Sequence, residues 1–185
     1  MNRIAPEYGF KYISQEDQEN YRSVELKQML KEIGVGSLKL PFVVKRVRKE
    51  MQKEIESIDM VSGIKPLFEG LKEKNCNIGI ITSNSVENTQ KFLKRHAVDN
   101  VDFIYSSTCL NGKDKLIKDI MTRRSSLDSN KVYFVGDEVK DIEAAQKAKV
   151  HSIAVTWGFS NEALLQQSNP DYITHTPSEI MGFIQ

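Results

Sequence analysis

KVYFVGDEVKDIEAAQKAKVHSIAVTWG, residues 131–158, decides the fold. Val132 to Val135 form a compact apolar run of the kind found in a buried parallel strand. Gly136 then permits a tight turn, which predicts that Asp137 stands immediately beyond the carboxyl end of that strand. Asp141 follows four residues later, near the start of a helix whose apolar positions are Ile142, Ala145 and Ala148. The helix contains neither glycine nor proline, and Val150 with Ile153 to Val155 reads as the next strand. Strand, acidic turn, helix and strand make a βαβ unit. Ligands of open α/β sheets bind beyond the carboxyl ends of the strands, so Asp137 and Asp141 are candidate ligands for a hard cation. The competing reading is that Asp137 caps the turn and Asp141 the helix.

Working outward, 185 residues suffice for one α/β core and a small satellite. Twenty-six basic and 25 acidic side chains leave a formal charge of +1, so no global field favours nucleic acid or anionic lipid. No apolar segment is long enough to span a bilayer, and the opening MNRIAPEYGF has the pattern of neither a secretory signal nor a transit helix. The expected location is the cytoplasm, without nucleic-acid or membrane partners. Cys76 and Cys109 are far apart and form no CxxC pair, which predicts two free thiols.

Before the deciding stretch, residues 1–13 are interrupted by Pro6 and Gly9. Ser14 with Asp17 fits a helix start, and Val24, Leu26, Met29, Leu30 and Ile33 form one apolar stripe ending near Gly34. A second helix is predicted from about Leu40 to Ile58, so the two make a helical hairpin. Its basic run of Lys45, Arg46, Arg48, Lys49 and Lys53 suits an anionic partner in isolation, but Glu50, Glu54 and Glu56 interleave it, and it reads as a solvated helix face. Further on, Ile64 to Glu73 is a helix and Ile78 to Ile81 a short buried strand ending at Thr82-Ser83-Asn84-Ser85. These hydroxyls and the amide stand beside a new helix N-terminus, as anion ligands or simply as N-caps. Phe103 to Tyr105 is another strand, Lys113 opens a helix to about Arg123, and Arg124 to Asn130 is a polar connection. After Gly158 come a short helix at Glu162 to Gln167, a small strand at Tyr172 and Ile173, and a terminal turn at Pro177 to Phe183.

Three strand-end clusters result: Thr82 with Ser83 and Asn84, Lys113, and Asp137 with Asp141. Hydroxyl donors, a cationic clamp and metal-binding carboxylates together suit a phosphoryl group and Mg²⁺. The sequences ITSNS at 81–85, GK at 112–113 and FVGDEVKDIEAA at 134–145 resemble the haloacid dehalogenase-like superfamily, most closely its helical-cap, phosphoglycolate phosphatase-like branch. The resemblance implies an α/β, Rossmann-like three-layer core with a small helical cap, Mg²⁺ dependence, and hydrolysis of a small phosphorylated metabolite through an aspartyl-phosphate. It assigns Thr82 and Lys113 to catalysis and phosphate binding, Asn84 to an auxiliary phosphate contact, and Asp137 and Asp141 to the metal; Ser83 joins the phosphate-binding set by its place in the strand-end cluster. It also divides the chain into a residual core segment at 1–13, a cap at 14–61 and the core at 62–185.

The family's DxDGT motif, which supplies nucleophile and general acid or base, is absent, and with it the usual first central strand. The expectation is therefore a phosphatase that is catalytically incomplete in this form, with Met1 an internal methionine or an N-terminal piece lost. Two neighbouring strands would lack ladder partners, each unmade buried bond risking about 1 to 3 kcal/mol. The alternative is a non-enzymatic phosphate-binding or protein-interaction module, with a partner protein that supplies a strand. Relatives commonly carry Pro where Ser62 stands and Gly where Lys149 stands, differences that read as structural.

Overall fold

The computed structural model of the chain describes residues 1–107, 112–124 and 127–184. Cys109 and residues 125–126 of the expected polar connection lie outside these, while Cys76 is a half-buried free thiol. The chain divides into two compact units, Met1–Asn20 with Leu26–Leu110, and Tyr21–Glu25 with Asn111–Gln185. Among the described residues no helix is long and apolar enough to cross a membrane.

The first unit opens with a 3-10 turn and helix α1 (Ala5–Tyr8), which takes Pro6 in its first turn and ends at Gly9, φ 68°. Helix α2 (Gln15–Tyr21) begins with the expected exchange at its N-terminus: Asp17 N donates to Ser14 Oγ at 3.0 Å, and Ser14 N to Asp17 Oδ2 at 3.1 Å. One helix was expected onward to Ile33, but the chain breaks and resumes as α3 (Leu26–Glu32). The reason lies far along the sequence. Tyr21–Glu25 belongs to the second unit, where the carbonyl of Arg22, released from a helical ladder, accepts from Asn161 N at 2.7 Å. Helix α4 (Leu40–Glu54) follows and buries Val43, stopping short of Ile58 in a turn closed by Ser57 N on Glu54 O. Then come α5 (Ile64–Glu73), β1 (Gly79–Thr82), α6 (Val86–Arg95) and β2 (Phe103–Ser106). Strands β1 and β2 are parallel, in register from Gly79 opposite Phe103 to Thr82 opposite Ser106. Asp102, just before β2, fixes this register by accepting from Ile78 N at 2.7 Å.

In the second unit, α7 (Lys113–Arg123) leads to β3 (Tyr133–Gly136), α8 (Val139–Ala148), β4 (His151–Val155), α9 (Glu162–Gln167) and β5 (Tyr172–Thr174). The strands form a parallel sheet in the order β3-β4-β5. The βαβ unit of the deciding stretch is present as expected. Helix α8 packs on β3 and β4 and against α7 and α9, its small residues Ala144 and Ala145 buried. Ile142, Ala154 and Leu165 are fully buried together, with Ile173 against them. Asp171 repeats the device of Asp102, taking both Ser152 N and Ser152 Oγ at 2.7 Å. Although burial raises its carboxyl, these bonds win and hold it below the ordinary value. The fold class is thus α/β with parallel sheets. Among the described residues β1 and β3 are each paired along one edge, and Val135 in the middle of β3 remains 42% exposed.

Candidate active site

At the carboxyl end of β1, Thr82 Oγ1 accepts from Asn84 N at 3.0 Å, which bends the chain away from the strand. Ser85 is the N-cap of α6, accepting from Asn88 N at 3.1 Å. The capping reading therefore belongs to Ser85, and it leaves Thr82 and Ser83 outside the helix. Asn84 turns its amide oxygen to Ser85 N and Asn88 Nδ2, at 2.8 and 3.0 Å, so only its NH₂ group remains to donate outward. Ser83 is exposed at the tip of the turn.

Arg48 of α4 meets this loop. Its guanidinium donates to Ser83 O from Nε at 2.7 Å and from Nη2, and Nη2 also reaches Ser106 Oγ at 3.2 Å and Ser107 O at 3.1 Å. The reading of the whole basic run as a solvated face is thus corrected at this residue. The signal was its position, four residues after Val44 and three before Met51, at the border of the apolar stripe; Lys45 and Lys49 point into solvent.

In the second unit, Asp137, Glu138 and Asp141 cluster beyond the carboxyl end of β3, each offering an oxygen within 4.8 Å of the others. Asp137 is braced by the turn after β4: Phe159 N donates to its Oδ2 at 2.7 Å and Ser160 N to its carbonyl at 3.1 Å. Asp141 lies in the first turn of α8, almost wholly buried, and its Oδ1 takes Lys113 Nζ at 2.6 Å. Asp141 is not the helix cap of the competing reading, since the N-cap position of α8 is Glu138, without a side-chain cap bond. Lys113, itself only 14% exposed, balances a carboxylate that would otherwise be stranded in low dielectric. An ammonium has three donors, and among the described residues one of them is taken, by Asp141.

Glu138 lies outside the sequence signal, which is the spacing of the two aspartates. One of its oxygens pairs with Lys140 at 2.9 Å, while Oε2 is buried without a hydrogen-bond partner among the described residues. Burial pushes this carboxyl up from its ordinary value against the pull of Lys140, and the charges of Asp141 and Asp137 add to the push. Three carboxylates with oxygens within 4.8 Å of one another, one of them orphaned, fit a hard divalent cation, whose charge would offset their mutual repulsion. The structure therefore brings Asp137, Asp141 and Lys113 together in one unit, and places Thr82, Ser83 and Asn84 with Arg48 in the other.

A family model described as haloacid dehalogenase-like hydrolase matches residues 1–155. A phosphoglycolate phosphatase of Synechococcus elongatus is 25% identical over 181 residues, 97% of this chain and 85% of that protein. Another, from Photobacterium profundum, is 23% identical over 129 residues, and there the alignment spans 56% of the relative's length. Among solved structures, a predicted phosphatase from Clostridium acetobutylicum superposes with a TM-score of 0.81 at 18% identity, covering 99% of this chain and 87% of that one. A haloacid dehalogenase-like family hydrolase from Streptococcus pneumoniae gives 0.67 at 22% identity, covering 92% and 90%. These likenesses establish the Rossmann-like α/β fold.

Proposed function

Because this chain belongs to the haloacid dehalogenase-like hydrolases, we propose that it serves the Mg²⁺-dependent hydrolysis of a small phosphate monoester, with phosphoglycolate the first substrate to try. The observation that carries the proposal is the cluster beyond β3, where Lys113 adjoins three converging carboxylates. Asp137 and Asp141, joined by Glu138, would hold the ion. When bound, Mg²⁺ supplies positive charge against phosphoryl oxygens and the charge that develops on them. Lys113 pairs with Asp141 and offers its remaining donors to phosphate oxygens, while Thr82, Ser83 and the NH₂ of Asn84 donate to phosphate from the end of β1.

The 185 residues contain no DxDGT sequence. Asp137 is fixed on Phe159 N and Asp141 on Lys113, so neither is placed to attack phosphorus. The proposed chemistry takes its nucleophile and its proton-transferring carboxylate from a DxDGT-bearing strand outside these 185 residues. Binding without appreciable turnover is the expectation for these residues alone. The test compares the chain as it stands with the same chain preceded by a strand bearing DxDGT, assayed for phosphate release with and without Mg²⁺. Activity in the extended form alone, lost on Asp137→Asn or Thr82→Val, supports the proposal. A folded extended form that hydrolyses no phosphate monoester sinks it, and phosphate binding without turnover in both forms would favour a phosphate-binding module instead.

A further inference from the structure

We infer that Arg48 is a positioning residue, aiming the Thr82 hydroxyl at its acceptor through a single peptide plane; the inference rests on the reading of Thr82 as a phosphate donor. The plane is the one joining Ser83 to Asn84. It is trans, like every described peptide bond, so its carbonyl and N–H point in opposite directions. On the carbonyl side, Ser83 O takes two donors of the Arg48 guanidinium. On the other side, Asn84 N donates to Thr82 Oγ1 at 3.0 Å. A hydroxyl has one hydrogen and two lone pairs. With a lone pair engaged by Asn84 N–H, the Thr82 hydrogen is turned away from the loop and kept for an outside acceptor.

Three further observations fit this device. A charged donor on a carbonyl polarises its amide and strengthens what the N–H gives on the far side. The rest of the loop is closed around the same plane, with Ser106 Oγ donating to Asn84 O at 2.6 Å and Ser107 N to Thr82 O at 2.8 Å. Arg48 is also placed unlike its helical neighbour. Arg46 bonds the carboxylates of Glu7 and Glu50, whereas the acceptors of Arg48 are two carbonyls and a hydroxyl, all neutral. Its own backbone is held by Asn88, 2% exposed, whose Nδ2 donates to Arg48 O at 3.0 Å. Two donors converging on one carbonyl need the planar fork of an arginine, which a lysine ammonium lacks.

The test uses the full chain and its Arg48→Met, Arg48→Lys, Thr82→Val and Arg48→Met/Thr82→Val variants. Amide exchange is followed at Asn84 by NMR, and inorganic phosphate is titrated in the presence of Mg²⁺. In Arg48→Met the Asn84 amide should exchange about tenfold faster, the scale of one charge-assisted hydrogen bond. The amide of Thr89, bonded to Ser85 O nearby, should not change. Arg48→Lys should fall between. Phosphate should bind about tenfold more weakly to Arg48→Met, and this loss should vanish when Thr82 is already Val. An unchanged Asn84 amide overturns the inference. So does equal acceleration at Thr89, which would mean that Arg48 merely holds α4 in place, and so do additive losses, which would mean that Arg48 acts without Thr82. If Thr82→Val leaves wild-type phosphate affinity intact, the phosphate reading fails by itself, and the exchange rates alone decide whether Arg48 sets the loop.

Discussion

A methyl group at position 136 would lie 2.3 Å from Cβ of Asp141, and one at position 158 would lie 2.1 Å from Cβ of Asp137. Each aspartate thus occupies the space that a side chain would take on a glycine elsewhere in the chain. Gly136→Ala should destabilise the protein by about 1–3 kcal/mol, seen in denaturant unfolding, and should weaken Mg²⁺ binding measured by calorimetry. Unchanged metal binding in a folded Gly136→Ala protein would show that the Asp141 carboxylate does not need this close approach. Asp137, Asp141 and Lys113 were legible beforehand because short fixed spacings placed them at strand and helix ends. Glu138 and Arg48 were not, since their surroundings depend on partners that no local pattern names: an orphaned oxygen among three carboxylates, and carbonyls on loops 35 and 59 residues away.

At the scale of elements, boundaries followed the apolar period except where another contact intervened, a distant one from Asn161 between α2 and α3 and a local turn at the end of α4. Helix α8 ends on Lys149, φ 59° and ψ 46°, a left-handed conformation that costs a side chain about 1–2 kcal/mol. Lys149→Gly should accordingly raise stability by roughly 0.5–1 kcal/mol, and a lower melting temperature would contradict this. Helix α4 carries, among the described residues, the one carboxyl with a large depression. Arg46 foremost, and then Lys53, hold Glu50 at about 2 against an ordinary 4.5. The unfolded chain takes up its proton first, so this stabilisation is fully present above pH 4.5 and is lost as pH falls towards 2. Glu50→Gln should flatten the acid limb of stability across that window. An unaltered limb would mean that the pair contributes nothing to it.

For the whole molecule, the alternation of helices and strands was enough to give the α/β class, and among the described residues β1 and β3 are each paired along one edge. Their division between two separate sheets, and the allotment of Tyr21–Glu25 to the second unit, depended on contacts that periodicity does not encode. The exposed Val135 and the edge of β3 lead us to propose that a parallel strand, from a protein partner or a longer form of the chain, pairs there. Amides of β3 should exchange faster than those of β4, which has neighbours on both sides, and should slow once a DxDGT-bearing strand is supplied. No slowing in a folded extended chain would place that strand elsewhere. The interlocking of Gly136 with Asp141 and of Asp137 with Gly158 also bears on how such a protein can change through time. In each pair one partner is bulky because the other is bare, so a mutation that enlarges position 136 or 158 is tolerated only after its aspartate has been lost. Drift at these two glycines should then be a historical record: descendants with a side chain at either should already have abandoned the acidic cluster.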